Sequence, residues 1–388
     1  MTQPLIGILT CRKGNSFAES DYFRRMIRHG RQCGAVVFLF TPSDVYPDKR
    51  VIRGYVPGAG RSWQSRLFAW PDLVIDQYRY YPVKKHAAYP AFRRQPLFPY
   101  VNNRFANKWK VYQLLASDER INKWLPEGRG YAREQVEEML KRYGTIYLKP
   151  MTGTGGRSIL RIEQKGKSRY MLTGRTKRCA QVELEITDRE EMLAFLDRWI
   201  CDQKRGKEHF FLQQGLDLDL IPDRTVDMRV LIQKDGYGKW KVTGMGVRIG
   251  ERNSSTSNLH AGGKAQSAAR FLTSAFGREQ AGEMMREAAL LAHRVVRILE
   301  EHFGRMMEFG IDLGIDVAGR IWLIECNPKP GRKIFLQMNK PDLYQLAVTR
   351  PLEYALYLLR QQENETAAEV LPLTPSASKW TAAKPPSG

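Results

Sequence analysis

Three oxygen-bearing side chains, Asp312, Glu325 and Asn327, lie at separations that could bind a metal ion. Glu325 and Asn327 stand two residues apart in an apolar run that predicts a buried strand, so their side chains emerge on the same face. Asp312 belongs to the preceding strand of a predicted hairpin that turns near residues 316–319. Carboxylate and amide oxygens suit Mg²⁺, a cation usually shared with substrate phosphates. The pattern indicates nucleotide-dependent chemistry, and a plain hairpin with polar ends is the alternative interpretation.

A glycine-rich turn upstream is the second candidate. Segment 145–159 begins as a strand that delivers Lys149 and continues through Gly153, Gly155 and Gly156 into another strand. Glycines let backbone N–H groups approach phosphates, and the lysine adds a positive point charge. The segment is not a Walker P-loop, because neither a GK[ST] ending nor a helix follows, and it lacks the GxGxxG spacing of a Rossmann turn. A hairpin turn made of glycines is the alternative.

An apolar strand at residues 210–216 ends in two amides, Gln213 and Gln214. At an inter-domain crossover, such residues can hydrogen-bond an adenine edge through side chain and backbone. Taken alone, the segment fits an ordinary strand end better.

Charged residues follow on two further strands. Asp227 and Arg229 share one face of strand 226–232, and Arg248 lies on the next strand. Two charges on an apolar strand need partners or ligands. The loop 257–263 then gathers an amide, an imidazole and two glycines, and its histidine fits an ordinary loop residue. No Ser-His-Asp or Cys-His order favours nucleophilic catalysis.

The elements that position these residues are predicted to form an α/β (α+β) protein. Strand, helix and strand alternate over residues 3–41, which implies a parallel sheet. A long helix is predicted at 280–303 from its helical apolar period. The expected divisions are an N-terminal α/β domain at 1–104, a second domain at 105–361 with subdomains at 122–212 and 213–361, and a flexible tail at 362–388.

The chain has 388 residues, of which 43% are hydrophobic and 27% charged, as in soluble globular proteins. No run of about 18 apolar residues predicts a transmembrane helix. The N-terminus fits a first strand rather than a signal peptide. The five cysteines are scattered without a CxxC pair, which suits a reducing compartment and disfavours a zinc site or disulfide framework.

The formal net charge is +21, and residues 1–100 carry about half of it, with 16 Lys and Arg against 6 Asp and Glu. Segment 79–94 interleaves bases with aromatic residues. It fits a nucleic acid through phosphate contacts and stacking, an anionic substrate, acidic protein or polyanionic surface, or a solvated basic face. No nucleic-acid-binding motif is present, so nucleic acid is the least favoured partner.

Taken in order, these motifs resemble the ATP-grasp superfamily over roughly residues 105–335. The resemblance includes NK at 107–108, the strand and glycine-rich turn after Lys149, QQGL, DxR, SNLHAGG and the D…ExN pattern. The SNLHAGG block after DxR resembles the branch that adds glutamates to a ribosomal protein tail. The stretch GIDLGID…GRIWLIECNPKPG resembles the YheC/YheD family, spore-coat-associated ATP-grasp proteins of endospore-forming bacteria.

The resemblance implies a role for each candidate residue. The implied nucleotide-binding residues are Lys108, Lys149, Gly153, Thr154, Gly155, Gly156, Gln213, Gln214, Leu216, Asp227 and Asn258. The implied catalytic residues are Lys149, Arg229 and Arg248, and the implied metal ligands are Asp312, Glu325 and Asn327. Gln213 replaces a Glu found in many relatives, which leaves the nucleotide preference open, and Lys110 is an alternative to Lys108.

The implied fold is an ATP-grasp domain preceded by a parallel-sheet pre-ATP-grasp domain, and the implied cofactors are ATP with Mg²⁺ or Mn²⁺. In this superfamily a carboxylate attacks the γ-phosphate, and an amine or thiol captures the acylphosphate, so no enzyme nucleophile is required. The expected function is such a ligase, acting on an acidic acceptor or spore-coat component, in the cytoplasm or at the coat. The alternatives are a nucleotide-binding structural coat protein with little or no catalysis, a kinase on the same fold, and a nucleic-acid-binding protein.

Overall fold

The computed structural model of the chain describes residues 3–14, 16–80, 86–105, 108–151, 157–204, 209–251 and 262–370, with only the backbone at 366–370. The described residues form three large sheets and one two-stranded ribbon. Short 3-10 turns occur at Pro42–Asp44, Pro47–Lys49 and Asn122–Trp124. In this part of the chain, no helix combines the length and the apolar character needed to cross a membrane.

The N-terminal sheet has a parallel centre. The elements of this region are β1 (Leu5–Leu9), β2 (Arg12–Lys13), β3 (Ser16–Phe17), α1 (Ser20–Gln32), β4 (Val36–Phe40), β5 (Val45–Tyr46), β6 (Val51–Pro57), β7 (Trp63–Ala69), β8 (Leu73–Asp76) and α2 (Ala88–Phe92). Strand order is β5-β6-β4-β1-β8, with β7 on β6, and β1 runs parallel to β4 and β8. The predicted parallel sheet is confirmed for these three strands. It becomes a mixed sheet because the unpredicted strands β5 to β7 add antiparallel pairs.

The middle sheet is antiparallel, in the order β13-β12-β11-β10-β14-β9. The elements are α3 (Lys108–Ala116), β9 (Gly128–Gly130), α4 (Arg133–Tyr143), β10 (Thr145–Pro150), β11 (Ile159–Gln164), β12 (Tyr170–Arg175), β13 (Gln181–Ile186), α5 (Arg189–Gln203) and β14 (Phe210–Gln214). Alternate residues of the strands, such as Ile146 and Leu148, are buried against α4 and α5. The opposite face of this sheet is therefore left for polar side chains.

The C-terminal sheet is also antiparallel, in the order β17-β16-β15-β18-β19. The elements are β15 (Val226–Lys234), β16 (Trp240–Ile249), β17 (Lys264–Ser267), α6 (Ala268–Phe276), α7 (Arg278–Phe303), β18 (Glu308–Ile315), β19 (Ile321–Asn327), α8 (Lys333–Gln337) and α9 (Pro341–Val370). The helix predicted at 280–303 is α7, and its apolar stripe packs on one face of the sheet. The predicted hairpin is β18–β19, which turns at Gly319, a residue with a φ of +81° that favours glycine.

Helix α9 joins the N-terminal and C-terminal sheets. Its residues Ala347, Val348 and Leu352 share a core with Ile6 and Ile8 of β1. The helix extends to Val370, past the predicted domain boundary at residue 361, so the first part of the predicted flexible tail is helical.

One hydrogen bond and one ion pair, both largely buried, fix the N-terminal sheet to the C-terminal sheet. Arg332 donates to both oxygens of Glu308, and Gln77 Nε2 lies 2.8 Å from Glu308 Oε1. Lys329 Nζ lies 2.7 Å from Asp76 Oδ1, at the end of β8. Because Lys329 follows Asn327 by only two residues, the N-terminal sheet also positions the end of β19.

The described part of the basic, aromatic segment 79–94 is largely used inside the molecule. Tyr89 Oη and Arg93 Nε donate to Asp76 Oδ2 at 2.6 and 2.9 Å, respectively. Residues 81–85 lie outside the described chain, and Arg94 is exposed. Tyr89 and Arg93 are therefore structural residues, and the solvated basic face proposed for this segment does not include them.

Gly310 lacks a side chain, so neighbouring groups can pack closely against one face of the C-terminal sheet. An added Cβ at Gly310 would lie 2.8 Å from Pro330 Cβ and 3.1 Å from Arg229 Nη1. Pro330 follows Asn327 closely, so this glycine allows the end of β19 to fold over the sheet.

We expect Gly310→Ala to lower the free energy of unfolding by about 1–3 kcal/mol, the usual cost of overpacking. Gly130→Ala is the matched control, because an added Cβ there meets nothing within 4 Å. Urea unfolding of the two variants measures the difference. Equal midpoints would show that the loop holding Pro330 moves aside freely.

Candidate active site

The C-terminal sheet has one apolar and one polar face. On β15, Val226, Met228 and Val230 join the core under α7, and the residues between them point the other way. Strand register sets a row of polar side chains side by side on that second face. The row consists of Arg248, Asp227, Arg229, Asp312, Glu325 and Asn327. The structure therefore gathers six of the residues that the sequence singled out.

Asp312 is the centre of a buried ion-pair cluster. Arg229 donates to both of its oxygens, with Nη2 2.8 Å from Asp312 Oδ2. Arg248 donates from Nε and Nη2 to Asp227 at 2.6 Å, and its Nη2 lies 3.1 Å from Asp312 Oδ2. Burial raises the pKa of Asp312, but the two arginines outweigh burial and hold that pKa below its usual value. Asp312 is therefore ionised at neutral pH.

Glu325 and Asn327 lie beside Asp312 on β19. Asp312 lies opposite Glu325 in the register of β18 and β19, next to a β-bulge. Asn327 Nδ2 donates to Asp312 Oδ2 at 3.2 Å. Glu325 Oε1 lies 2.8 Å from Lys108 Nζ of α3. The three residues lie together as their spacing predicts, and their role as metal ligands stays a prediction.

The chemistry of this donor set fits a hard divalent cation. Asp312, Glu325 and Asn327 offer two carboxylates and an amide carbonyl, which suit Mg²⁺ or Mn²⁺. Among the described residues, no group of three or more His, Cys, Asp or Glu side chains could hold a metal. The cation would therefore depend on Asn327 and on oxygens of a bound substrate for its further ligands.

The middle sheet contributes Lys149 and Gln213 from its polar face. Lys149 Nζ donates to Gln213 Oε1 at 2.5 Å. Gln214 lies on the opposite face, where its Oε1 accepts from the backbone N–H of Glu127 at 3.1 Å. Adjacent residues of a strand point to opposite faces. Of the two amides predicted to hold adenine, only Gln213 therefore directs its side chain towards Lys149.

Lys149 connects the two sheets electrostatically. Burial and then the charge of Lys108 lower the pKa of Lys149 to about 8, while Glu325 acts in the opposite direction. These residues come from the middle sheet, α3 and the C-terminal sheet. The polar faces of both sheets therefore meet around Lys108, which is the lysine of its helix that contacts the site, whereas Lys110 is exposed.

Aromatic side chains of α3 hold Lys108 in place, and the sequence reasoning did not identify them. The ring centroids of Trp109 and Tyr112 are 5.3 Å apart, and that of Trp109 is 5.0 Å from Phe211. Phe211 lies opposite Lys149 in the register of β10 and β14, so both side chains lie on the polar face of the middle sheet. The alternation of bases and aromatic residues in KWKVY was the available signal.

Of the six remaining predicted site residues, the structure describes one. Leu216 follows β14 and is half-buried. The predicted nucleotide-binding residues that lie outside the described chain are Gly153, Thr154, Gly155, Gly156 and Asn258.

Comparison with known proteins gives a consistent result. Residues 97–358 match the model of the YheC/D-like ATP-grasp family. The endospore coat-associated protein YheD of Bacillus subtilis (strain 168) is 28% identical, over 92% of this chain and 79% of its own length. YheC of the same strain is 25% identical, over 89% of this chain and 94% of its own.

A solved structure shares the fold. The D-cycloserine synthetase DcsG aligns with a TM-score of 0.55 and 11% identity, over 92% of this chain and 99% of that chain. At this identity the likeness shows the fold alone, which is the α+β fold of ATP-grasp ligases.

We expect Asp312→Asn to lower the free energy of unfolding by about 3–5 kcal/mol, because it leaves the buried cation Arg229 without its carboxylate. Glu325→Gln is the matched control. Its side chain is 26% exposed and faces a partly exposed lysine, so its cost should stay within about 1 kcal/mol. Chemical unfolding of both variants measures this, and equal losses would contradict the asymmetry.

Proposed function

The chain belongs to the YheC/D-like ATP-grasp family, and on that premise we propose that it is an ATP- and Mg²⁺-dependent ligase. The reaction would join a carboxylate to an amine or a thiol through an acylphosphate. The observation that carries the proposal is the meeting of four cations and three carboxylates from three parts of the molecule: α3, the middle sheet and the C-terminal sheet. The four cations are Lys108, Lys149, Arg229 and Arg248, and the three carboxylates are Asp227, Asp312 and Glu325.

Phosphoryl transfer to a carboxylate requires neutralisation of the charge on the phosphate oxygens. Asp312, Glu325 and Asn327 would hold the cation, which when bound neutralises phosphate charge and orients the γ-phosphate. Lys108 and Lys149 would bind phosphate oxygens from the α3 and middle-sheet sides. Arg229 and Arg248 would face the transferred group from the C-terminal sheet.

Nucleotide recognition is assigned to the same face of the middle sheet. Gln213 lies 2.5 Å from Lys149, which suits an amide that contacts the base while the lysine contacts phosphate. Leu216 follows on the connection from β14 and would contribute a backbone group. Gln214 offers only its backbone there, since its side chain is on the opposite face.

An acidic acceptor, located in the spore coat or envelope, is the substrate class that we propose. Two observations support it: the surplus of positive charge in residues 1–100, and the names of YheD and YheC, which are endospore coat-associated proteins. The protein would act in the cytoplasm or at the coat.

A structural protein of the coat that binds nucleotide without turnover is the second candidate. It is supported by the same two names, which describe association with the coat rather than a reaction. The two functions differ in whether ADP is released.

We expect calorimetry to show ATP binding that Mg²⁺ strengthens in the wild type. In Glu325→Gln the gain from Mg²⁺ should fall by about tenfold, or about 1.4 kcal/mol, because one proposed ligand loses its charge. Glu138→Gln, a more exposed carboxylate on the far side of the middle sheet, should behave as the wild type.

The same samples should then be supplied with pools of amino acids and acidic peptides, while ADP and the products are measured. ADP with a new amide or thioester would support the ligase. A stable phosphorylated product would instead indicate a kinase, and binding without ADP release would favour the structural protein. No ATP binding at all would eliminate the proposal.

Lys149 gives a pH signature. A phosphate beside its ammonium group raises the pKa from about 8, so ATP binding near pH 8 should take up about half a proton. This proton uptake should vanish towards pH 6.5, where Lys149 is already protonated. Above pH 8 the proton uptake should grow while the affinity for ATP falls. Calorimetry in two buffers of different ionisation enthalpy measures it. Lys149→Met should lose this component and Lys110→Met should keep it, whereas equal uptake in both would remove Lys149 from the phosphate site.

A further inference from the structure

The carboxylates proposed to bind metal are engaged by the cations proposed to bind phosphate. Glu325 Oε1 lies 2.8 Å from Lys108 Nζ. Asp312 Oδ2 accepts from Arg229, Arg248 and Asn327 at 2.8, 3.1 and 3.2 Å, respectively. A divalent cation that approaches these oxygens must therefore displace positive charge already in place.

The three cations differ in what they retain once Asp312 and Glu325 are taken by a metal. Arg248 keeps Asp227, which it binds through two hydrogen bonds of 2.6 Å. Arg229 and Lys108 lose the carboxylates they pair with, Asp312 and Glu325. Arg229 is nearly buried, with 9% of its surface exposed, so it needs a new anion close by.

We infer that this site binds a divalent cation and a polyphosphate cooperatively, each weakly without the other, because Lys108 and Arg229 hold the metal-binding carboxylates until phosphate oxygens accept both cations. The inference rests on the proposed function and adds a mutual dependence that the fold does not require. Metal alone places two further positive charges among four cations, and this repulsion opposes binding. With polyphosphate, Lys108 and Arg229 each exchange a carboxylate for a phosphate, and Glu325 and Asp312 each exchange a cationic side chain for the metal.

Two consequences follow from the exchange. The protein should bind a free divalent cation poorly, whatever its affinity for the metal–nucleotide complex. Metal and nucleotide should also strengthen each other by the same factor, because coupling between two ligands is reciprocal. Lys108 and Arg229 are therefore residues that decide when the carboxylates become available.

Lys108 offers the test, because its side chain is 34% exposed and its removal leaves no buried cation behind. Binding of Mn²⁺ alone is measured by the loss of the free-ion paramagnetic resonance signal, with nucleotide absent. We expect the wild type to bind Mn²⁺ no more tightly than the Glu325→Gln variant does. The Lys108→Met variant should gain at least about tenfold in Mn²⁺ affinity. Lys108→Met combined with Glu325→Gln should lose that gain.

Lys110→Met is the matched control, since it removes the same charge from an exposed position of α3 and should bind Mn²⁺ as the wild type does. Circular dichroism confirms that each variant is folded. Equal Mn²⁺ affinity in wild type and Lys108→Met, or a gain that survives Glu325→Gln, would overturn the inference. Calorimetry with ATP and Mg²⁺ on the wild type separates the failures: if this complex binds, the proposed function stands without the mutual dependence, and if it does not bind, both fail.

Discussion

A carboxylate buried beneath two arginines is the constraint around which this molecule is organised. Asp312 cannot be removed from water without compensating charge, and the sheet supplies that charge from neighbouring strands through Arg229 and Arg248. The strands in turn need an apolar face against α7 to keep this polar face fixed. Because side chains alternate along each strand, one face of the C-terminal sheet forms the core and the other face forms the site.

The elements around the C-terminal sheet then determine which groups reach that polar face. Aromatic packing of Trp109 on Phe211 holds Lys108 over Glu325, and the register of β10 and β14 adds Lys149. Lys329 fixes the end of β19 to Asp76 of the N-terminal sheet. Three parts of the chain that are distant in sequence thereby converge on a few oxygen atoms, which is the arrangement that phosphate chemistry requires.

Much of this was predictable because it follows from local periodicity. The hairpin that carries Asp312, Glu325 and Asn327, the long helix α7 and the parallel strands around β1 all show the apolar spacing of their secondary structure. Which side chains contact each other was not predictable, because these contacts join segments that are distant in the sequence. Neither the use of Lys108 in preference to Lys110 nor the internal pairing of Arg93 with Asp76 has a local signature. The separation of Gln213 from Gln214 was available from strand alternation. Among the unpredicted antiparallel strands, β7 was missed because it is mostly exposed and lacks a buried apolar set, and β5 because it has only 2 residues.

The buried pairs between the two ends of the chain also bear on how the protein is made. Gln77 meets Glu308 across 231 positions, and Asp76 meets Lys329 across 253. The strands of the N-terminal sheet leave the ribosome long before α9, yet Ile6 and Ile8 share their core with α9 as well as with α1. Domains of a long chain fold in order of emergence where they can. The part of this apolar face that α9 covers, and the amide of Gln77 that meets Glu308, must wait for segments made much later, so the sheet completes its native contacts only after β18 and α9 have emerged.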